Sequence, residues 1–463
     1  MIFPIALGII SIIIYFFNMN NNTLGQQEQQ KQGPSLNILE KEALKVQEVV
    51  QGISFPTSMA FIDSSNLLIL EKDGLVRLVS NGVLQKQPVL KIPVDSAAER
   101  GLLGITTMNT NVSDNNNNIN KYDNDSYAKY GKVAKESRTL PDTTNPKKTS
   151  TKVFLYFTQS GPGQKLGNEV YRYDWDPVKH LLLNPVLLLD LPAMPGPNHN
   201  GGKITIGPDN YLYAVIGNVN SGDSVLQNDD TGKGPNKTSV IFRVNPENGA
   251  PAPNNPLSDN GSNSSDNKLS KYYASGIRNS FGLAFDPISG NLWDTENGEN
   301  TYDEINLVKP GFNSGWQKVM GPISRSNAIE KDLVNFRGSH YADPVFSWLH
   351  CIGVTDIEFL KSSKLGKKYA NNIFVGDINN GNLYYFEVNK TRTGVRFGYD
   401  INNDQPELLS DLVADDKNEV AAITFGTNFG GITDIKTGPD GFLYILSYRN
   451  SALYRIVPSF ILH

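Results

Sequence analysis

The chain has 463 residues, 39% of them hydrophobic, enough for one large folded unit or two smaller ones. Its formal net charge of −5, with no long Lys/Arg run, excludes the electrostatic footprint of a nucleic-acid binder. The single cysteine, Cys351, excludes an intramolecular disulfide framework and every multi-cysteine metal motif, and its default role is that of a small buried apolar residue.

From Met1 to Phe17 the chain is uncharged and almost wholly apolar, and residues 18–35 are rich in Asn and Gln. This predicts an export signal or short membrane anchor followed by a polar spacer, and hence an extracytoplasmic protein, secreted or held at the outer face of the cell membrane by that segment alone. No basic residue precedes the apolar run and no A-x-A-like cleavage site follows it, so removal and retention are both open. Asn-x-Ser/Thr triplets such as those at Asn111, Asn236 and Asn389 lie mostly in polar segments, as sites on exported loops would.

Helical periodicity is confined to Leu36–Val50. Beyond it, short aromatic-rich runs bounded by turn residues predict strands: Asn66–Leu70, Val153–Phe157, Tyr211–Ile216, Ile373–Val375 and Phe442–Leu446. One phrase repeats, a Gly/Pro/Asp turn leading into a strand with Leu-Tyr or its analogue. It occurs at Gly207–Tyr213, Asp286–Trp293 and Gly438–Tyr444, with looser copies at Asp63–Leu68, Val153–Tyr156 and Ile373–Val375.

Six copies predict an all-β, six-bladed β-propeller over residues 36–458, because a four-stranded sheet cannot cover its own apolar faces whereas sheets stacked in a ring bury one another. The Asn/Asp/Ser/Lys-rich stretches 109–150 and 258–270 have almost no strand signal and read as surface insertions.

Candidate chemistry clusters in three places. His199, in Asn198–Lys203 on a Gly-rich loop before a strand, can approach a substrate closely and titrates near neutrality, as a general base requires; its bland alternative is a surface hydrogen-bonding role. Arg278, followed by Asn279, offers a fixed guanidinium for an anionic or carbonyl oxygen, or else a structural salt bridge. The carboxylates and carbonyls around Gly298, Glu299, Asp303 and Glu304 are the hard oxygen ligands that Ca²⁺ prefers, or else a solvated turn.

The ordered succession Glu99–Gly104, His199–Gly202, Gly207–Asp209, Gly276–Asn279, Leu292–Gly298, Asp303–Asn306, Gly311–Trp316 and Gly438–Gly441 resembles the glucose/sorbosone dehydrogenase family, from about Val49 to Val457. That family includes soluble aldose dehydrogenases using pyrroloquinoline quinone (PQQ). The resemblance implies a six-bladed propeller with PQQ over its central channel, Ca²⁺ bridging the cofactor to protein oxygens, a small-molecule sugar substrate and an external electron acceptor.

By the same resemblance His199 matches the base that takes the proton of the anomeric hydroxyl, Arg278 the group polarising the quinone oxygens, and Asn279 and Glu99 cofactor neighbours. The carbonyls of Gly298 and Glu299 match the Ca²⁺-holding positions, and Asp303 and Glu304 the acidic pair of that loop.

Asn379, Gly431 and Thr433 stand where PQQ-binding members carry basic residues for the cofactor's carboxylates, with Lys203, Arg100 and Arg449 as cations on nearby loops. The replacement leaves a second reading, a non-enzymatic Ca²⁺-binding propeller for a glycan or protein that has lost PQQ. A hydrolytic propeller such as a lactonase is a third, against which the ordered motifs stand.

Overall fold

The computed structural model describes residues 33–37, 43–111, 149–161, 163–258, 268–397 and 409–459. The apolar amino-terminal segment, nearly all of the polar spacer and the bulk of both insertions lie outside the described residues. Among the described residues no helix is long and apolar enough to cross a membrane.

The apolar runs become strands buried on both faces. Leu212–Ile216, Val354–Phe359 and Leu443–Ser447 are buried at every position, so each must lie in a sheet covered front and back. Among the described residues six separate sheets provide that cover. Their first strands, in chain order, are Pro56–Phe61, Leu102–Asn111, Ile204–Ile206, Ser280–Phe285, Val354–Phe359 and Ile432–Thr437. Each touches the first strand of the next sheet and the last touches the first, so the sheets form a closed, propeller-like cycle.

Each copy of the repeated phrase supplies the second strand of a different sheet. The Asp of its turn does the same work in two copies, and the Asp of the third anchors a neighbouring sheet. Asp209 accepts from the Tyr213 hydroxyl at 2.9 Å and Arg243 Nε at 2.8 Å, and Asp440 from the Tyr444 hydroxyl at 2.8 Å and Arg455 Nη1 at 3.0 Å. Asp286 takes a fork from Arg392, at 2.8 and 2.6 Å.

The helical expectation over Leu36–Val50 is corrected. Ser35–Leu36 pairs with Thr427 and Gly426, and Leu44–Gln51 pairs antiparallel with Ala452–Pro458 as the outer strand of the sixth sheet. The open edge of the carboxy-terminal strand offers a ladder of backbone hydrogen bonds, and β-branched Val46, Val49 and Val50 suit a pleat better than a helix. The last sheet is thus closed by a strand that precedes the first sheet in the chain.

The core lies between neighbouring sheets. Trp293, Trp348, Phe359 and Tyr384, all fully buried, fill the gap between the fourth and fifth sheets. At the centre of the ring, charge replaces oil. Lys203 Nζ lies 2.8 Å from both Asp356 Oδ1 and Asp434 Oδ1, and Lys436 Nζ lies 3.2 and 3.1 Å from the same two side chains. Asp434 Oδ2 also accepts from the Ser58 hydroxyl at 2.8 Å.

The third, fifth, sixth and first sheets are thus tied across the ring. Burial alone would raise the Asp434 carboxyl, but Lys203 and Lys436 outweigh it and hold that group well below the usual carboxylate range, while burial pushes Asp356 up to about 7. Lys203 is therefore an internal counter-ion and not a rim cation, correcting its sequence-based assignment to a loop near a ligand.

Candidate active site at the loop end of the ring

Loops leading into the first strands of several sheets meet around His199. Its backbone is left-handed, with φ of +60°, a conformation costly for a residue with a Cβ. Gly217 explains how His199 comes beside Arg278: a Cβ there would fall 2.4 Å from Arg278 O and 2.7 Å from His199 O, so only glycine lets both backbones close on one point.

His199 Nδ1 lies 2.6 Å from Asn218 Oδ1. The Asn220 N–H also donates to that atom at 3.2 Å, so it must be the amide oxygen, and the proton shared with His199 resides on Nδ1. This leaves the Nε2 lone pair available. Burial, then the charge of Arg278, push His199 down to about 4 against the opposing bond from Asn218. The imidazole is therefore neutral at physiological pH, as a proton acceptor must be.

Half-buried Glu99 ties this loop to the next. Its Oε2 accepts from the His199 N–H at 2.6 Å and from Asn279 Nδ2 at 3.0 Å, while burial raises its carboxyl against those bonds and Arg278. Arg278 is held on every side: its N–H donates to Glu296 Oε1, its carbonyl accepts from Asn218 N–H at 2.9 Å, and Nη1 donates to Asn297 O at 2.9 Å. The guanidinium sits 5.3 Å from the Trp316 ring centroid, a cation–π distance. Among the described residues Arg278 Nε and Asn279 Oδ1, both buried, have no hydrogen-bond partner.

Asp303 organises the neighbouring turns. Fully buried, it accepts from Gly298 N at 3.0 Å through Oδ1, and from Ile352, Gly353 and Val354 N at 2.8, 2.7 and 3.1 Å through Oδ2. These bonds tie the 297–300 turn to the 352–354 loop.

Glu304, one residue on in a strand, faces the other way, accepting from Gly321 N–H and from Asn306 Nδ2 at 3.2 Å. Expected as a pair at one metal, these two carboxylates lie on opposite sides of the sheet. Gly298 and Glu299 form the turn itself, and among the described residues no backbone N–H donates to either carbonyl. Cys351, half-buried beside Asp303, is pushed up to about 12 by burial and then by that carboxylate, so it is an unreactive thiol.

The remaining expected residues are distributed unevenly. Asn379 packs its Nδ2 against Gly353 and accepts from Arg449 Nη1 at 3.1 Å through its carbonyl. Thr433 turns its hydroxyl to Pro56 O, at 3.0 Å, inside the seam between sheets. Arg100 is neutralised by Asp95 at 2.9 Å and bonded to Ala193 O.

Two surface hollows, of about 760 and 390 Å³, are lined elsewhere, one by Lys318, Lys331 and Val334 and the other by Phe61, Tyr444 and Arg455. Sequence reasoning missed Asn218, Glu296 and Trp316 as partners of the site. Asn218, directly after Gly217 at the end of a buried strand, and Trp316, inside a Gly-rich motif, carried the available signal.

Comparison with known proteins identifies the family of the chain. Residues 132–455, well over half of the chain, match the family model described as "Glucose / Sorbosone dehydrogenase". An uncharacterized protein of Synechocystis is 24% identical over 88% of this chain and 85% of its own length. An aldose sugar dehydrogenase of Escherichia coli is 24% identical over 67% of this chain and 74% of its own. The structure of the PQQ-bound form of aldose sugar dehydrogenase from Streptomyces coelicolor shares the fold, with a TM-score of 0.57, 21% identity, and coverage of 90% of this chain and 99% of that one. The chain belongs to the glucose/sorbosone dehydrogenase family, a family of oxidoreductases.

Proposed function

We propose that this chain is an extracytoplasmic, PQQ- and Ca²⁺-dependent aldose dehydrogenase built on a six-bladed propeller, with His199 as general base. The observation that supports the reading is that three neighbouring residues, tied together through Glu99 and Gly217, each keep an uncommitted polar atom: Nε2 of His199, Nε of Arg278 and Oδ1 of Asn279. Buried polar atoms without partners are costly, so a site that keeps several together is shaped for a polar ligand.

The donor set suits both PQQ and Ca²⁺. The carbonyls of Gly298 and Glu299 are hard oxygen donors for Ca²⁺, Arg278 can donate to a quinone oxygen, and Asn279 Oδ1 and the Glu99 carboxylate can accept from an N–H or O–H of the ligand. When bound, PQQ supplies the two-electron acceptor for the hydride leaving the sugar's anomeric carbon. His199 Nε2 takes the proton of the anomeric hydroxyl, and Asn218 holds the tautomer that makes Nε2 the acceptor. Arg278, fixed by Asn297 and Glu296, presents donors to an oxygen that gains negative charge during the reaction. A base that starts neutral and a fixed cation beside it divide the charge separation between them.

Purified protein supplied with PQQ and Ca²⁺ is expected to reduce an artificial electron acceptor when given aldoses. The absence of both quinone binding and sugar-dependent reduction would end the proposal. A second reading, a Ca²⁺-binding propeller without PQQ, draws on the Thr433 hydroxyl being spent on Pro56 and on Gly431 having no side chain. It requires Ca²⁺ to raise the melting temperature while PQQ leaves it unchanged.

A further inference from the structure

Three turns meet at the seam between the fifth and sixth sheets: residues 378–381, 429–431 and 448–450. They close on glycines. A Cβ on Gly381 would meet Gly430 N and Gly431 N at 2.7 Å, and Gly430 and Gly431 have φ of +74° and +84°. Backbone bonds lock the turns, with Tyr448 N–H donating to Gly431 O at 2.8 Å and Arg449 N–H to Gly430 O at 2.9 Å.

Side chains being trimmed away here, the Arg449 guanidinium projects from the seam. Nη1 lies 3.7 Å from where a Gly431 Cβ would stand. Arg449 is exposed, its one side-chain hydrogen bond goes to Asn379 O, and among the described residues no carboxylate lies within ion-pair distance of it. That distinguishes it from Lys203 and Arg100, whose charges are answered inside the protein.

Contiguous contacts join this cation to the candidate active site. Asn379 packs on Gly353, Gly353 N–H bonds Asp303, Asp303 bonds Gly298, and the adjoining Asn297 carbonyl holds Arg278. Beside it, Tyr448 packs on Phe55 with ring centroids 5.3 Å apart, and Phe55 is 52% exposed despite its size. An uncompensated guanidinium already anchored at one nitrogen, next to an exposed aromatic face, has the chemistry for a carboxylate on a ring-bearing molecule.

We infer that Arg449 is the cation that binds a carboxylate of the ligand occupying the His199–Arg278 site. The inference rests on the proposed function. Two sources supply that chemistry: a ring carboxylate of PQQ, or the acid group of a uronate substrate.

The test is direct titration calorimetry of the full chain with Ca²⁺, without turnover. Probes are PQQ, its methyl ester, D-glucuronate and D-glucose, and the proteins are wild type, Arg449→Ala and Arg449→Lys. If the cofactor is the source, Arg449→Ala weakens PQQ binding about 10- to 100-fold, the lysine variant recovers part of it, and binding of the ester does not change between proteins. If the substrate is the source, PQQ binding is unchanged while glucuronate affinity falls by a similar factor and glucose affinity does not.

The melting temperature should stay constant in both variants, since a single exposed bond is lost. If Arg449→Ala leaves unaltered the binding of every one of PQQ and glucuronate that wild type binds, the inference alone is overturned. Wild type that binds neither PQQ nor glucuronate overturns it together with the function it rests on.

Discussion

Replacing Asn218 by Asp tests what sets the basicity of His199. In the structure Nδ1–H meets a neutral amide oxygen at 2.6 Å, and burial with Arg278 has already pushed the imidazole down to about 4. A carboxylate at that distance turns a neutral hydrogen bond into a charge-assisted one, a gain of about 1–1.5 kcal/mol, or roughly one pK unit. Treated instead as two unit charges about 4 Å apart at an effective dielectric near 20, the pair gains about 4 kcal/mol, or roughly three units.

The acidic limb of kcat/KM should therefore move from about 4 up to roughly 5–7 in Asn218→Asp. The sign follows from the base having to be neutral: wild type keeps its activity down to the low value, and the variant loses it over the intervening range as His199 protonates. Kinetics of the PQQ- and Ca²⁺-loaded protein across acidic pH, with an NMR titration of the five histidines assigned by His199→Asn, would read the shift twice. An unmoved limb, or one that moves down, would refute the claim that Asn218 governs this imidazole.

Other consequences can be measured without turnover. Lys203→Met leaves Asp356 and Asp434 with Lys436 alone, and is expected to cost about 3 kcal/mol, the lower end for breaking a buried pair. For a cooperative unit of roughly 400 residues that is a fall of about 3–4 °C in Tm by calorimetry, and an unchanged Tm would contradict the central charge tie. Asp303→Asn removes one of the two acceptor oxygens that hold the Gly298 turn and the 352–354 loop together, so the rise in Tm on adding Ca²⁺ should shrink, as followed by thermal scanning with and without the ion. An undiminished rise would show that the turn does not depend on Asp303.

The parts of this molecule legible in the sequence are those where one local device is reused. Asp209 and Asp440 each brace a Tyr four residues on and an Arg on the third strand of the same sheet, so the same letters recur and mark second strands. His199 and Arg278 were legible because each stands in a Gly-rich phrase at a strand mouth.

What the sequence hid depends on ring closure. Lys203, Asp356 and Asp434 lie far apart in the chain and meet only because the sheets form a cycle, so nothing local distinguishes Lys203 from a loop cation. Leu44–Gln51 looked helical because its pairing partner, Ala452–Pro458, lies about 400 residues away in the chain. Asp303 and Glu304 read as a pair, yet strand alternation sends one to the loops and the other into the sheet.

Oxidation of an aldose at this site requires His199 as proton acceptor. The most direct measurement is turnover of aldose by the PQQ- and Ca²⁺-loaded protein in His199→Ala against wild type, with PQQ affinity determined on the same samples. Removal of the base should lower kcat by about 10²- to 10⁴-fold with the cofactor still bound. Turnover within about twofold of wild type, at full PQQ occupancy, would contradict it.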